Sequence, residues 1–265
     1  MAKYSARTAD KHELYQVAVQ SPKEEAAFID RIYQKAYGRR PTLFREDFCG
    51  TALISCAWVR LRRENHAYGV DLHQPTLDWG KDRNVSWLAA HAAARVHLIN
   101  DNVVNIREPK VHAVGAFNFS YYIFKQLDQL VGYFKGVRES LHEEGLFVLD
   151  AYGGYEAQQV MKEVTRYPGF TYIWDQSEYD PISDHTVCHI HFKFPDGTML
   201  RNAFSYDWRL WTLAGIRDAL HLAGFRSTEV YWEGTNRHGG GNGVYRKRKK
   251  VENFAAWNAY TVARP

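Results

Sequence analysis

The stretch from residue 43 to residue 54 reads Leu43-Phe44-Arg45-Glu46-Asp47-Phe48-Cys49-Gly50-Thr51-Ala52-Leu53-Ile54. An apolar lead-in reaches an acidic pair, passes through a short turn around Gly50 and runs into an Ala-rich apolar segment. This pattern predicts a β-strand, a tight turn and an α-helix. The turn is expected to lie against a ligand, because glycine lets the backbone approach a bound group closely.

Strand and helix patterns alternate on both sides of this junction. Strands are predicted at 42–47, 67–72, 95–99, 111–120 and 145–150, separated by helices at 52–63, 74–93 and 128–142. This alternation predicts βαβ units and a parallel sheet. Three strands without intervening helices follow at 170–178, 186–194 and 198–208, and the chain closes with a helix and two strands at 213–223, 225–232 and 256–262.

The composition is that of an ordinary globular protein. The chain has 265 residues, of which 45% are hydrophobic and 24% charged, enough for one large α/β domain with an insert. The net charge of +4 is too small to argue for an anionic partner. Three cysteines form no CxxC pair, which favours a reducing cytoplasmic setting over a zinc ribbon or a disulfide scaffold. Neither a signal peptide nor a membrane span is predicted.

Polar side chains stand at the carboxyl ends of five of the predicted strands, at Glu46, Asp71, Asp101, Asn118 and Asp150. In parallel sheets, ligands bind outside the carboxyl ends of the strands, where these side chains are expected to meet. An acid after the second strand suits ribose hydroxyls, and an acid after the third can accept a hydrogen bond from an adenine amine. The pattern therefore predicts a cofactor that contains a nucleoside.

The turn at 46–52 argues against a dinucleotide. A pyrophosphate-binding turn reads G-x-G-x-x-G, whereas this turn keeps only Gly50. A cofactor without phosphates fits better. If it contains an amino-acid moiety, the ammonium group of that moiety could pair with Glu46 or Asp47.

The segment resembles motif I of the class I S-adenosylmethionine-dependent methyltransferases, written D/E-x-G-x-G-x-G. Glu46 takes the acidic place and Gly50 that of the central glycine, while Phe48 and Ala52 stand where the family has its first and third glycines. The resemblance extends over roughly 42–151 and 209–264. Later motifs of the family are resembled by segments 68–71, 100–101, 117–120, 141–150 and 222–225.

The resemblance implies an α/β fold, a Rossmann-like three-layer α/β/α sandwich with a seven-stranded, mostly parallel sheet plus an antiparallel β insert. The last strand of the sheet is expected to run antiparallel. The expected division is an N-terminal helical arm at 1–38, a methyltransferase core at 39–151 and 209–265, and an antiparallel β lid insert at 152–208 that covers the cofactor's methyl group.

The resemblance also implies S-adenosyl-L-methionine as cofactor and S-adenosyl-L-homocysteine as product. The residues expected to bind the cofactor are Glu46, Phe48, Cys49, Gly50, Thr51, Asp71, Leu72, Asp101, Asn102, Asn118 and Ser120. The implied activity is methyl transfer to a nitrogen or oxygen nucleophile of a small molecule by in-line displacement.

A catalytic base is optional in such a reaction, because the positive sulfur already activates the methyl group. Weak candidates for a catalytic role are Tyr121, His189 and His191. The two histidines share one strand face that could line the substrate cavity. They lack an acidic partner at ligand spacing, so no metal site is predicted.

Three alternatives stay open. An RNA methyltransferase would use the basic run 246–250, which is predicted to lie in a loop, and its binding would weaken steeply with salt. A nicotinamide oxidoreductase would bind NAD, which the missing glycines disfavour. A non-catalytic S-adenosylmethionine-binding protein would bind the cofactor without turnover. A small-molecule partner is expected, without a membrane, and the oligomeric state is left open.

Overall fold

The computed structural model describes residues 4–236 and 240–265. The helices are α1 Lys11–Val19, α2 Pro22–Tyr37, α3 Leu53–Leu61, α4 Gln74–Gly80, α5 Ala90–Ala93, α6 Leu127–Ser140 and α7 Leu213–Leu222. The strands are β1 Leu43–Asp47, β2 His66–Asp71, β3 Val96–Asn100, β4 Val111–Ala116, β5 Leu141–Gly153, β6 Met161–Tyr167, β7 Phe170–Asp180, β8 His185–Lys193, β9 Met199–Arg209, β10 Ser227–Thr235, β11 Gly241–Arg248 and β12 Trp257–Arg264.

The main sheet has the order β11-β10-β12-β5-β4-β1-β2-β3. Strands β1 to β5 pair in parallel, and β12 lies antiparallel between β5 and β10. The predicted α/β fold with a mostly parallel sheet and an antiparallel late strand is confirmed. The predicted count of seven strands omits β11, which adds an eighth strand at the edge by pairing with β10.

The basic run 246–250 therefore does not lie wholly in a loop, because Arg246 to Arg248 belong to β11. Lys247 forms an ion pair with Glu229 at 2.7 Å. Both faces of this edge strand are largely exposed, so apolar and polar residues do not alternate along the run.

Helices cover both faces of the main sheet. On one face, α2 and α3 pack around Ile29, Trp58 and Val148. On the other, α6 and α7 pack around Phe134, Phe147 and Ile216. These two apolar layers bury the sheet and leave the carboxyl ends of β1, β2 and β4 as the positions from which polar side chains can reach a ligand.

The second sheet is antiparallel, in the order β6-β7-β8-β9. It has four strands rather than three, because Met161–Tyr167 forms β6 although most of its residues are exposed. Helix α1 packs on this sheet, with Leu14 buried beside Phe170 and Phe192. The N-terminal segment thus joins the second sheet to the main one.

Two element boundaries near the site differ from the prediction. The predicted helix 74–93 is divided into α4, a π-helical turn at Lys81–Val85 and the short α5. The predicted strand 111–120 ends at Ala116, because Asn118 and Phe119 both adopt left-handed backbone conformations.

No described helix has the length and apolar character needed to cross a membrane.

Candidate functional site

The turn after β1 has three residues with positive φ. Phe48, Gly50 and Ala52 have φ values of 56°, 51° and 56°. Such values are costly for residues other than glycine, and this kind of backbone strain concentrates at functional sites. The two departures from the family motif therefore keep the backbone shape that glycine favours.

Close packing holds this turn in place. A Cβ atom on Gly80 of α4 would lie 2.5 Å from the Thr51 carbonyl oxygen, so only glycine allows the helix to approach. The same carbonyl accepts a hydrogen bond from Asn84 Nδ2 at 2.8 Å. The Thr51 hydroxyl accepts another from Gln16 Nε2 of α1 at 2.8 Å. Cys49 is buried against Gly69 of β2.

The two adjacent acids of the motif point to opposite faces of the sheet, as alternation along a strand requires. Glu46 Oε2 accepts hydrogen bonds from the Ser55 N–H at 2.8 Å and from the Ser55 hydroxyl at 2.6 Å. Asp47 is buried in an ion pair with Arg45 at 2.7 Å. The alternative in which Asp47 pairs with the cofactor is wrong, because its carboxylate is already held by Arg45 and Tyr133.

Burial raises the pKa of Glu46 to about 8, despite the two hydrogen bonds from Ser55, which favour the charged form. The unfolded chain ionises this group near 4.5. Between these values the folded state binds the extra proton, so stability from this group is present at low pH and is lost as pH rises through about 8.

Replacing Glu46 with glutamine should therefore flatten the pH dependence of the free energy of unfolding between about pH 5 and 8. The slope of the free energy of unfolding against pH should become less negative by up to ~1.4 kcal/mol per pH unit. Urea unfolding of the wild type and of Glu46→Gln across this range measures the difference. Glu64→Gln, at an exposed position, is the control. Parallel stability curves for wild type and Glu46→Gln would contradict the assignment.

The Phe48 side chain packs among other aromatic rings. Its ring centroid lies 5.7 Å from that of Tyr133 and 6.1 Å from that of Phe124. These contacts place the ring on the α6 side of the turn. The bulk of Phe48 therefore adds to the core that supports the turn.

Asp71 connects the end of β2 to the turn after β1. Its Oδ2 accepts a hydrogen bond from the Gly50 N–H at 2.8 Å, and its Oδ1 accepts one from the His73 N–H at 2.9 Å. Leu72 is 70% exposed. The Asn100 amide donates to the carbonyl oxygens of Asp71 and Leu72, which ties β3 to the same edge.

The residues after β3 form a small polar loop. Asp101 Oδ1 accepts from the Asn102 N–H at 2.6 Å and from Asn105 Nδ2 at 2.8 Å. Asn102 caps the following turn by accepting from the Val104 N–H. The other Asp101 oxygen, Oδ2, has no hydrogen bond to any described residue, so it can still accept one from a ligand.

These residues fit a nucleoside cofactor. Each Asp71 oxygen accepts one protein hydrogen bond, and a carboxylate oxygen can accept two, so both can also receive a ribose hydroxyl. A Cβ on Gly50 would meet nothing nearer than Thr76 at 3.9 Å, which leaves open space in front of the turn. Asp101 Oδ2 supplies a further free acceptor at the end of β3.

The loop after β4 is held by Asp150 of β5. The Asp150 carboxylate accepts from the N–H groups of Asn118 at 2.7 Å and Phe119 at 2.9 Å. Burial raises the pKa of Asp150 to about 7. Ser120 turns inward, and its hydroxyl donates to the Phe117 carbonyl at 2.9 Å. Asp150 thus shapes the backbone beside the expected cofactor site.

A cavity of about 610 Å³ opens next to this loop. Its walls come from α1, α2, the ends of β4 and β5, the second sheet, and strands β10 to β12. Asn118 is the one predicted cofactor residue in its lining. Twelve aromatic side chains line it. Six carboxylates do so as well: Glu24, Glu25, Asp150, Glu156, Glu163 and Glu233.

The three candidate catalytic side chains lie outside this lining. Tyr121 is fully buried, and its hydroxyl donates to the Asp150 carbonyl at 2.6 Å. His189 pairs with Ser205, and His191 with Asp175. The expectation that the histidine face could line the cavity is wrong, because the neighbouring Ile190 on the opposite face does so.

The ring nitrogens of His191 already have structural partners. Nδ1 accepts from the Asn202 N–H at 2.8 Å, so Nε2 carries the proton and donates to Asp175 at 3.0 Å. The described part of the chain holds no group of three or more potential metal-ligating side chains.

Glu25 was missed as a site residue, although the sequence carries a signal for it. It occupies the buried stripe of α2 together with Phe28, Ile29 and Ile32, at helical spacing. An acid on such a stripe must find a partner or a ligand, because burying an unpaired charge is costly.

No protein-family model matches the sequence, and none of the curated proteins is significantly similar to it. Solved structures do match along nearly the whole chain. One is a S-adenosylmethionine-dependent methyltransferase from Clostridium acetobutylicum, with 19% identity, a TM-score of 0.69 and 96% of both chains covered. Another is DesVI of Streptomyces venezuelae, with 17% identity, a TM-score of 0.67, and 97% and 99% covered.

A third similar structure is an amino pentose methyltransferase from Micromonospora echinaspora, solved with S-adenosylmethionine bound. It shares 15% identity, has a TM-score of 0.64 and covers 96% of both chains. At these identities the likeness establishes the fold, which is that of S-adenosylmethionine-dependent methyltransferases. The likeness includes the second sheet, because the coverage is nearly complete.

Proposed function

We propose that this protein is a methyltransferase that uses S-adenosylmethionine to methylate a nitrogen or oxygen atom of a small molecule. The observation that carries the proposal is the link between Asp71 and the Gly50 N–H at 2.8 Å, at the carboxyl edge of a sheet with the methyltransferase fold. The similar structures support the choice of cofactor, and one of them contains it.

The proposed contacts follow from the free hydrogen-bonding capacity at this edge. Asp71 would hold the ribose hydroxyls, and Asp101 the adenine amine. The backbone of the turn would support the methionine part, with contributions from the predicted residues Glu46, Phe48, Cys49, Gly50, Thr51, Leu72, Asn102, Asn118 and Ser120. When bound, the cofactor supplies a methyl group on positively charged sulfur.

The cavity beside Asn118 is the proposed acceptor site. Trp174 and Tyr206 of the second sheet lie in its wall, and so do Trp232 and Trp257 of the main sheet. We propose that the segment 152–208 acts as a lid, which excludes water while the acceptor is aligned. Residues 39–151 and 209–265 would form the core, and 1–38 the arm that joins the core to the lid.

A cytoplasmic setting is part of the proposal. Cys49, Cys56 and Cys188 are buried free thiols, a state that a reducing compartment preserves.

Replacing Asp71 with asparagine should weaken S-adenosylmethionine binding about ten- to hundredfold, because hydrogen bonds to a charged group contribute about 1.5–3 kcal/mol. Isothermal titration calorimetry with S-adenosylmethionine and S-adenosylhomocysteine measures this effect. Asp82→Asn is the control, since Asp82 is exposed on the turn after α4. Thermal unfolding of both variants reports whether the fold is kept.

The outcomes separate the parts of the proposal. Failure of the wild type to bind either compound would reject the methyltransferase assignment. Tight binding that is unchanged in Asp71→Asn would reject the ribose contact only.

A further inference from the structure

The cavity wall concentrates negative charge with no balancing cation in the described part of the chain. Its lining includes six carboxylates but no described lysine, arginine or histidine. Among the described residues thirteen ion pairs occur, and none of them involves any of these six side chains. Acidic side chains in a cavity whose described lining holds no cation favour a positively charged ligand.

One of these carboxylates, Glu25, is buried without a partner among the described residues. Its residue surface is 6% exposed, it lines the cavity, and its Oε2 is buried without a hydrogen-bond partner. No described side chain forms an ion pair with it. A carboxylate in this state is expensive to keep unless a ligand supplies the missing donor.

The surroundings of Glu25 strengthen this argument. Burial raises the pKa of Glu25 well above its usual range, and the nearby carboxylates of Asp150, Glu46 and Glu24 raise it further. A bound cation would offset both effects. Tyrosine rings stand close by, with the centroids of Tyr245 and Tyr260 4.3 Å apart.

Aromatic rings on two walls are suited to hold the rest of such a ligand. On the main-sheet wall, the ring centroids of Trp232 and Trp257 lie 4.9 Å apart. On the second-sheet wall, Tyr206 and Trp208 stack at 4.3 Å, and Trp174 lies 5.9 Å from Tyr206. Aromatic faces attract organic cations such as ammonium groups.

We propose that the cavity binds the acceptor as a cationic amine and that Glu25 determines this specificity by pairing with the ammonium group. Before methyl transfer the ammonium group releases one proton to the Glu25 carboxylate, so the neutral amine nitrogen attacks the methyl group and S-adenosylhomocysteine leaves. This inference rests on the proposed methyltransferase function and narrows its acceptor to an amine-bearing small molecule. A neutral alcohol offers Glu25 no counter-charge, so the site favours an ammonium group over an alcohol.

The test uses matched pairs of a cation and a neutral analogue, titrated without S-adenosylmethionine. The pairs are choline with 3,3-dimethyl-1-butanol, tyramine with tyrosol, and glucosamine with glucose. Tryptophan fluorescence is the readout, because Trp174, Trp208, Trp232 and Trp257 line the cavity. In at least one pair the cation should bind tenfold or more tightly than its neutral partner. The absence of any cation preference in the wild type overturns the inference.

Glu25→Gln should reduce that preference about tenfold and leave the affinity of the neutral partner unchanged. The substitution keeps the size of a side chain that has no partner to lose, and thermal unfolding checks the fold. Glu64→Gln, remote and exposed, should behave as wild type. A cation preference that survives Glu25→Gln overturns the inference.

A parallel titration with S-adenosylmethionine distinguishes an acceptor site from a cofactor site. The cofactor affinity of Glu25→Gln should stay within twofold of wild type. If the substitution weakens the cofactor and spares the cation, Glu25 belongs to the cofactor site and the inference is overturned. If the wild type binds cations but no cofactor, the proposed function fails while the cavity assignment stands.

Discussion

Replacing Arg45 with methionine is expected to lower the free energy of unfolding by about 3–5 kcal/mol. Arg45 is fully buried in β1. Its Nε and one terminal nitrogen donate to the two oxygens of Asp47 at 2.7 and 3.1 Å. The other terminal nitrogen donates to the Ser140 hydroxyl at 2.7 Å, which fastens β1 to α6.

The cost arises because the substitution leaves the buried Asp47 carboxylate without its counter-charge. Asp47 would keep only the hydroxyl of Tyr133, at 2.8 Å, in an environment closed to water. Losing one partner of a buried pair is much worse than losing both, so Arg45→Met combined with Asp47→Leu should recover most of the lost stability. Urea denaturation midpoints of the wild type, the single variant and the double variant measure this difference.

The matched control is an ion pair at the surface. Arg39 and Glu144 form a contact at 2.7 Å, but their side chains are 47% and 55% exposed. Arg39→Met should change stability by no more than about 1 kcal/mol, because water screens such pairs. If Arg45→Met costs no more than Arg39→Met, the buried pair does not stabilise β1.

The parallel core of the fold is readable in the sequence because buried strands and amphipathic helices leave clear periodic patterns. Strands β1 to β5 alternate with helices, and the late antiparallel strand follows from the family resemblance. Strands β6 and β11 leave no such pattern, because most of their residues are exposed and polar. These two strands form because they pair with β7 and β10, and a local sequence pattern does not show such pairing.

The polar edge of the site is also predictable, because strand ends fix where Asp71, Asp101 and Asn118 must lie. The roles of side chains away from that edge depend on tertiary contacts, which the sequence does not show directly. Tyr121 fills the core instead of the cavity. The pairing of Asp47 with Arg45 follows from the alternation of β1, since residues two apart share a face, and the sequence could have shown it.

Replacing Asp150 with alanine is expected to lower the free energy of unfolding by about 2–4 kcal/mol. It leaves two N–H groups without an acceptor, at about 1–3 kcal/mol each, and removing a carboxylate that burial disfavours offsets part of this cost. The carboxylate accepts from two consecutive N–H groups, those of Asn118 and Phe119. Both residues are left-handed, with φ values of 57° and 59°, which is uncommon for phenylalanine. The substitution removes the two hydrogen bonds that offset this strain.

The same loss should damage the cavity. The Phe119 ring packs 4.7 Å from that of Tyr152, and both line the cavity wall. Relaxation of the loop would move Phe119 out of this position, so affinity for the preferred cation should fall more than tenfold. Methyl transfer should fall with it. Urea denaturation and fluorescence titration measure the two effects on one protein preparation.

Glu156→Ala separates the positioning role of Asp150 from its charge. Glu156 also contributes a carboxylate to the cavity, but its side chain forms no hydrogen bond to any described residue. Its removal should leave stability within about 0.5 kcal/mol of wild type, as for most substitutions away from a network. Equal unfolding midpoints for Asp150→Ala and Glu156→Ala would show that the two backbone hydrogen bonds do not hold the loop. A larger shift for Asp150→Ala assigns that role to its carboxylate.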